Sequence, residues 1–346
     1  MKESDYIKNL IAGIKKNKTV QIGSIVEFVD DDFLQGRRKA GSTVAITGIA
    51  KSINSKTFLN VRNELYALHA NSKSVKIFDF GNIAFDEEKI KKFITDISKK
   101  NINMVFLCED DEISSTVLQI QQNKDSKTAL IVADITSENK YISKTLNSKS
   151  EISVIGYQNY LSDRMLINKL HSKNYSVVRL SEYRVEPNEI EPILRESNFM
   201  AIDLSAVRYS DGGTKQSPNG LYAEELCSLA NCAGLSNKIS QINIVCNNDN
   251  NMLTTALAAQ TVWHFVDGLS NRVVETPSKN RFRKFITDMG NSSSLTFYKS
   301  DITNRWWMEV SNGKKTKTIA CTFKDYQAAC NRHIPVKWIR ELQKMG

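Results

Sequence analysis

Eight short runs of apolar, largely β-branched residues recur between residues 44 and 246, and helix-forming stretches separate them. Each run is five or six residues long and nearly continuous in hydrophobicity, which is typical of a strand buried on both faces. The runs lie at 44–49, 75–80, 104–108, 129–134, 152–157, 175–180, 199–204 and 241–246. Strands that alternate with helices predict crossover connections and a mainly parallel sheet. We therefore predict an α/β fold with three layers, α/β/α.

The stretches between the runs have the period of amphipathic helices. Residues 85–99 place Ile90, Ile94 and Ile97 on one helical face, and 222–232 and 253–269 behave similarly. With 346 residues, of which 41% are hydrophobic and 25% charged, the chain has the composition of a globular protein with a sizeable core.

Both ends of the chain depart from this rhythm. Residues 20–33 alternate like an edge strand, and a basic segment bounded by glycines follows at 35–41. After about Asn271, three short antiparallel strands are predicted, followed by one or two helices that Pro335 interrupts. The strands are expected at 292–301, 305–310 and 317–323, and the helices within 325–345. We predict an α/β domain over 41–272, with an N-terminal appendage over 1–40 and a C-terminal appendage, packed on the domain, over 273–346.

The C-terminal appendage is aromatic and basic for its length. Its aromatic residues include Phe297, Tyr298, Trp306, Trp307 and Trp338, and they interleave with Lys299, Arg305, Lys314, Lys315 and Lys317. This mixture allows packing against the main domain, an anchor for a protein partner, or stacking of single-stranded bases. Packing is the favoured interpretation, because no nucleic-acid-binding motif accompanies the pattern.

Charge and cysteine content indicate which partners and which cellular compartment to expect. The 47 Lys and Arg against 38 Asp and Glu give a net charge of +9, which is spread along the chain and is weak evidence for nucleic acid. Six cysteines without a C-x-x-C pair favour a reducing compartment. No window reaches the length of about 18 apolar residues that a membrane helix needs, and the N-terminus has no cleavable leader pattern. We expect a cytoplasmic protein that does not contact membranes.

Acidic residues follow several of the predicted strands. Ligands of parallel α/β sheets bind beyond the carboxyl ends of the strands. Acidic residues follow the runs that end near 108, 134 and 203, so their carboxylates could converge on a divalent cation. The competing interpretation is that these residues cap helices or lie in solvated loops.

The order of these segments resembles the arginase, agmatinase and formimidoylglutamase family, the ureohydrolases. The segment 76–83 (KIFDFGNI) is similar to the family's strand that ends in Asp-x-Gly, and 60–68 (NVRNELYAL) to an early helix. The strongest match runs from Ser153 to Arg272, and the tail resembles one found in a bacterial subgroup of formimidoylglutamase-like chains. The resemblance implies an arginase-like fold and ring-like homo-oligomers.

The same resemblance implies a metal site with altered ligands. Active members hold two Mn²⁺ ions through a GGDHS turn, a DAHxD turn and a DxD turn. Here Asp111 stands at the first histidine position, Thr136 at the second, and Ser205 at the second aspartate of the last turn. The carboxylates at ligand positions are Asp111, Asp134, Glu138 and Asp203, of which Asp134 and Asp203 match the family unchanged. Losing both imidazoles removes the nitrogen donors that favour transition metals.

The segments that bind substrate in the family are also shorter in this chain. The family's long ligand-binding loop is represented only by residues 48–58. Glu225 matches the carboxylate that faces the substrate guanidinium or amidine in arginase-like members. It is also a glutamate in the first turn of a helix that 218–220 opens, where it would complement the helix dipole.

Together these features predict a noncatalytic ureohydrolase-fold protein that acts as a binding or scaffold protein. The alternative is a metal-dependent hydrolase of a linear amidine or guanidine such as formimidoylglutamate, with Asp111, Asp134, Glu138 and Asp203 as an altered shell. We expect no required cofactor, although four carboxylates leave room for weak binding of Mg²⁺, Ca²⁺ or Mn²⁺. A protein partner or self-association is expected, and nucleic acid is not.

Overall fold

The computed structural model describes most of the chain. The described residues are Lys8, Ile11, 21–29, 43–70, 75–146, 150–247, 251–277, 281–290 and 293–345. The basic segment predicted at 35–41 lies outside them.

A nine-stranded sheet forms the centre of the molecule. Its strands are β1 (Val26–Phe28), β2 (Thr43–Ala50), β3 (Lys76–Ala84), β4 (Asn103–Cys108), β5 (Lys127–Ile131), β6 (Glu151–Tyr157), β7 (Ser176–Arg179), β8 (Phe199–Asp203) and β9 (Gln241–Val245). The strand order is β1-β3-β2-β4-β9-β8-β5-β6-β7, and every pairing is parallel. All eight predicted runs are strands of this sheet, and the edge strand expected near the N-terminus is β1. The predicted fold class is confirmed.

Helices cover both faces of the sheet. They are α1 (Lys56–Ala67), α2 (Glu87–Ser98), α3 (Asp111–Gln121), α4 (Lys140–Thr145), α5 (Arg164–Ser172), α6 (Leu180–Val185), α7 (Ile190–Glu196), α8 (Ala223–Leu235) and α9 (Met252–Ser270). Successive side chains of a strand point to opposite faces, so Ile46 packs into one apolar core and its neighbour Ala45 into the other. The first core is completed by α1, α8 and α9, and the second by α2, α3 and α4.

A buried ion pair joins two of the segments that carry the ureohydrolase resemblance. Arg62 on α1 donates from Nε to Asp79 Oδ2 on β3 at 2.8 Å, and both side chains are fully buried. The Tyr66 hydroxyl donates to the same carboxylate, whose other oxygen accepts the backbone N–H of Gly81 at 2.8 Å. A buried charge is tolerated only when it is paired and hydrogen-bonded. This network therefore fixes α1 against β3.

The C-terminal part forms a separate antiparallel sheet. Its strands are β10 (Phe282–Gly290), β11 (Ser293–Ser300), β12 (Trp306–Ser311) and β13 (Thr316–Cys321), paired in chain order. Two helices follow, α10 (Phe323–Cys330) and α11 (Val336–Met345), separated at Pro335 as predicted. The expectation of three strands was incomplete, because β10 was missed. Most of its residues are exposed or half-exposed, so it lacks the apolar run by which the other strands were found.

Buried aromatic residues attach this sheet to the α/β domain. Trp306 and Trp307 are 8% and 5% exposed. Arg195 on α7 donates to the carbonyl oxygens of Trp306 and Cys321 at 3.0 and 3.2 Å, and its guanidinium lies 4.2 Å from the centre of the Trp307 ring. The aromatic residues of the tail thus provide a packing surface. Among the described residues, no helix is both long enough and apolar enough to cross a bilayer.

Candidate functional site

The sequence-predicted acidic residues lie beyond the carboxyl ends of neighbouring central strands. Asp111 begins α3 after β4, Asp134 lies in the loop after β5, and Asp203 is the last residue of β8. Since β8 pairs with both β5 and β9, and β4 pairs with β9, these strand ends lie side by side, and we call the space beyond them the crevice. This is the edge at which parallel α/β sheets bind ligands.

Asp203 lies at the base of the crevice in a desolvated position. Its Oδ1 accepts the backbone N–H of Ser205 at 2.8 Å. Burial raises the pKa of the Asp203 carboxyl, the hydrogen bonds from Ser205 and the positive charge of Lys215 oppose that rise, and the negative charge of Asp111 adds to it. The charges of Asp111 and Lys215 therefore both act on the Asp203 carboxyl.

Lys215 brings a positive charge to this group of carboxylates. Its Nζ lies 3.6 Å from Asp134 Oδ1, and the side chains are 62% and 15% exposed. The other oxygen of Asp134 accepts a hydrogen bond from the Thr136 hydroxyl at 2.8 Å. Both oxygens of Asp134 thus have partners within the chain. Sequence reasoning missed Lys215, because nothing in the loop around it indicates which strand end it faces.

The remaining acidic residues of the first turn have helix-terminal roles. Asp111 accepts the backbone N–H of Lys140 at 3.2 Å. Asp110 caps α3 by accepting the N–H of Ile113 at 2.8 Å and pairs with Lys51 at 2.9 Å. The helix-cap interpretation weighed from the sequence therefore describes Asp110 well.

Glu138 is the fourth predicted ligand. Its side chain is exposed, and none of the described contacts joins it to Asp111, Asp134 or Asp203. Within the part of the chain that the structure describes, no three side chains of His, Cys, Asp or Glu form a group that could hold a metal ion.

Two buried groups, the Tyr141 hydroxyl and the Cys108 thiol, lie near these carboxylates. Burial raises the pKa of the Tyr141 hydroxyl well above its ordinary value, and the negative charges of Asp203 and Asp111 add to the rise. Burial likewise raises the pKa of the Cys108 thiol, against a hydrogen bond from Ser114. Since the thiolate is the nucleophilic form of cysteine, Cys108 is an inert structural thiol.

Glu225, the predicted substrate carboxylate, is bound to a guanidinium of the same chain. Arg184 on α6 donates from Nε to Oε1 at 3.0 Å and from Nη2 to Oε2 at 3.2 Å. Glu225 Oε2 also accepts the backbone N–H of Tyr222 at 2.8 Å, which places it in the first turn of α8 as a cap. The Tyr222 ring lies between the guanidinium groups of Arg184 and Arg208, at 4.2 and 4.3 Å from its centre. The two hydrogen bonds between Arg184 and Glu225 have the geometry of a strong bidentate Arg–carboxylate pair.

The fold is similar to that of solved formimidoylglutamases. The enzyme of Bacillus subtilis gives a TM-score of 0.61 at 16% identity, over 74% of this chain and 93% of that one. The formiminoglutamase of Trypanosoma cruzi, solved with Mn²⁺, gives 0.61 at 14% identity, over 69% of this chain and 97% of that one. A hypothetical agmatinase of Burkholderia thailandensis gives 0.53 at 14% identity, over 68% and 88%. No protein-family model matches the chain, and no curated protein sequence is significantly similar to it. At such low identity the likeness establishes an arginase-like fold.

Proposed function

We propose that this arginase-like chain is noncatalytic and acts as a binding or scaffold protein. The observation that carries the proposal is that two of the predicted site carboxylates, Asp134 and Glu225, are paired with cations of the chain itself. Lys215 pairs with Asp134 at 3.6 Å, and Arg184 forms a bidentate pair with Glu225. These are the residues that a metal ion and a guanidine substrate would need.

The chemistry of a metal-dependent hydrolase makes demands that these residues meet poorly. A metal pair lowers the pKa of a bridging water only when enough ligands hold both ions close together. Thr136 and Asp111 replace imidazoles, and Ser205 replaces a carboxylate, so the donor set is smaller and harder than the one that retains Mn²⁺. A lysine ammonium beside Asp134 adds repulsion toward any divalent ion. These features support loss of the metal centre.

The proposed binding role includes a protein partner or a second copy of the chain, in the cytoplasm. All six cysteines are free thiols, as is usual in reducing compartments. Light scattering coupled to size exclusion measures self-association. Proteins that co-purify with the full-length protein are candidate partners. A variant with the exposed Arg283 changed to Glu is the surface control for this comparison.

Metal content and activity together test the loss of catalysis. The full-length protein is incubated with Mn²⁺, dialysed, and analysed for metal per chain, and formamide release from formimidoylglutamate is followed in parallel. We expect far less than one equivalent of manganese and no formamide above the rate without protein. The Bacillus subtilis enzyme is the positive control for both measurements.

Two manganese ions per chain together with formamide release would refute the proposal. That result would favour the alternative, an amidine hydrolase that uses Asp111, Asp134, Glu138 and Asp203 as an altered metal shell and Glu225 on the substrate. Replacing Asp134 and Asp203 by Asn would then abolish both metal retention and activity.

A further inference from the structure

A large cavity lies between the free edge of the nine-stranded sheet and the C-terminal helices, and Asp111, Asp134, Asp203 and Lys215 are not part of its lining. Its volume is about 1080 Å³, just above the range of roughly 300–1,000 Å³ that is typical of small-molecule sites. Strand β7 is the last strand of the sheet and pairs only with β6, so its other edge faces the cavity.

Two helices form the opposing walls. From α5, Arg164, Ile167 and His171 line the cavity, and their spacing of three and four residues places them on one helical face. From α11, Val336 and Arg340 line it from the other side, four residues apart. Each helix therefore contributes both apolar and cationic side chains.

The acidic side chains of the lining are neutralised by the chain itself. Glu151 pairs with Lys344 at 2.6 Å, and Glu189 pairs with Lys337 at 2.6 Å. The other acidic side chains of the lining are paired as well. They are Glu182 with Arg179, Glu186 with Lys324, Glu196 with Lys238, and Glu341 with Lys317, while Asp325 shares Lys337 with Glu189 and Lys127 adds a further cation 3.5 Å from Glu151.

Three basic side chains of the lining are left without such a partner within the part of the chain that the structure describes. Among the described residues, Arg164, His171 and Arg340 form no side-chain hydrogen bond and no ion pair. Arg340 is half-buried, and burial lowers the pKa of its guanidinium, although the charge of Glu182 opposes this. Both oxygens of Glu182 already accept hydrogen bonds from Arg179. The cavity thus holds two guanidinium groups, those of Arg164 and Arg340, that no carboxylate of the described residues pairs with, and the guanidinium of Arg340 is partly desolvated.

Apolar side chains complete the surface around these cations. Val177 and Ile193 line the inner part, while Ile334 and Val336 at the mouth are 50% and 60% exposed. A guanidinium offers a planar set of donors that matches a carboxylate or a phosphate. Apolar surface of this kind suits the hydrocarbon body of a ligand.

We propose that this cavity binds an organic anion, with its carboxylate or phosphate group on Arg340 and its apolar body against Val177, Ile193 and Val336. Arg164 lines the same space and adds attraction for the anion, and His171 can donate a ring N–H to it. The site is independent of the crevice, so it stands or falls apart from the proposed loss of catalysis.

Calorimetric titration of the full-length protein with matched naphthyl compounds tests the site. Naphthylacetate supplies a carboxylate, naphthyl phosphate a phosphate, and naphthylethanol is the neutral control. We expect saturable binding of at least one anion, with one site per chain, and much weaker binding of the neutral compound. The comparison of the two anions identifies the preferred head group. Arg340→Gln should weaken the anion's affinity about tenfold or more, because a charge-assisted hydrogen-bonded pair is lost.

The matched control is Arg332→Gln, which removes an equal charge from an exposed pair with Asp288 on the same C-terminal part. It should leave binding unchanged. Arg164→Gln and His171→Gln alter exposed side chains on α5, so they keep the test valid if Arg340→Gln fails to fold; each should weaken the anion at least twofold. The proposal is wrong if neither anion binds saturably at concentrations up to about 10 mM. It is equally wrong if the neutral compound binds as well as the anions, or if these variants bind as the wild type does.

Discussion

Lys215 offers the sharpest test of the proposal that the crevice does not retain a metal ion. Its ammonium lies 3.6 Å from Asp134 and is 62% exposed, so it is screened largely by water. A divalent ion about 4 Å from that ammonium would be repelled by about 2 kcal/mol even at the dielectric constant of water, which corresponds to roughly thirtyfold in affinity. We predict that Lys215→Ala strengthens Mn²⁺ binding by about this factor.

Paramagnetic resonance of free Mn²⁺ during titration measures the affinity of each variant. Lys215→Arg keeps the charge and should bind Mn²⁺ as weakly as the wild type. Lys238→Ala removes the same charge from a pair with Glu196, remote from the crevice, and serves as the control for net charge. Equal Mn²⁺ affinity in Lys215→Ala, Lys215→Arg and the wild type would show that Lys215 has no part in excluding the ion.

Two further predictions concern stability, measured by urea unfolding. Asp79→Asn leaves the fully buried Arg62 guanidinium without its counter-charge, so it should lower the free energy of unfolding by about 3–5 kcal/mol. The control is Asp96→Asn in an exposed helical pair, which should change the free energy of unfolding by less than about 1 kcal/mol. Similar losses in both variants would contradict the argument. Burial raises the pKa of Asp203 in the folded state above the ordinary value of about 3.9. Ionisation of Asp203 therefore destabilises the fold at pH values above the folded-state pKa, and this destabilisation vanishes below the pKa of the unfolded state. Asp203→Asn should therefore stabilise the protein at pH 7 relative to the wild type and give no gain near pH 3; a gain that does not change with pH would exclude this cause.

The strands of the main sheet could be predicted because burial on both faces demands a continuous apolar run. The run at 129–134 became β5, and the run at 199–204 became β8, each within a few residues. Strand β10 escaped prediction because its residues are largely exposed, and an exposed edge strand has no such requirement.

The candidate site divides along the same line. The positions of Asp111, Asp134 and Asp203 after their strands follow from local pattern, and the parallel sheet then brings strand ends together at one edge. Glu138 is grouped with them by the resemblance alone, and its side chain is exposed in the structure.

The sequence alone determined the layers of this protein, because strands buried on both faces and helices with one apolar face leave a recognisable hydrophobic pattern. Only the tertiary structure decided that Lys215 meets Asp134, that Arg184 meets Glu225, and that no carboxylate of the described residues forms an ion pair with Arg340. The physical reason is that an ion pair depends on the separation of two groups over a few ångströms, and residues distant along the chain acquire that separation only when the sheet and its loops have packed.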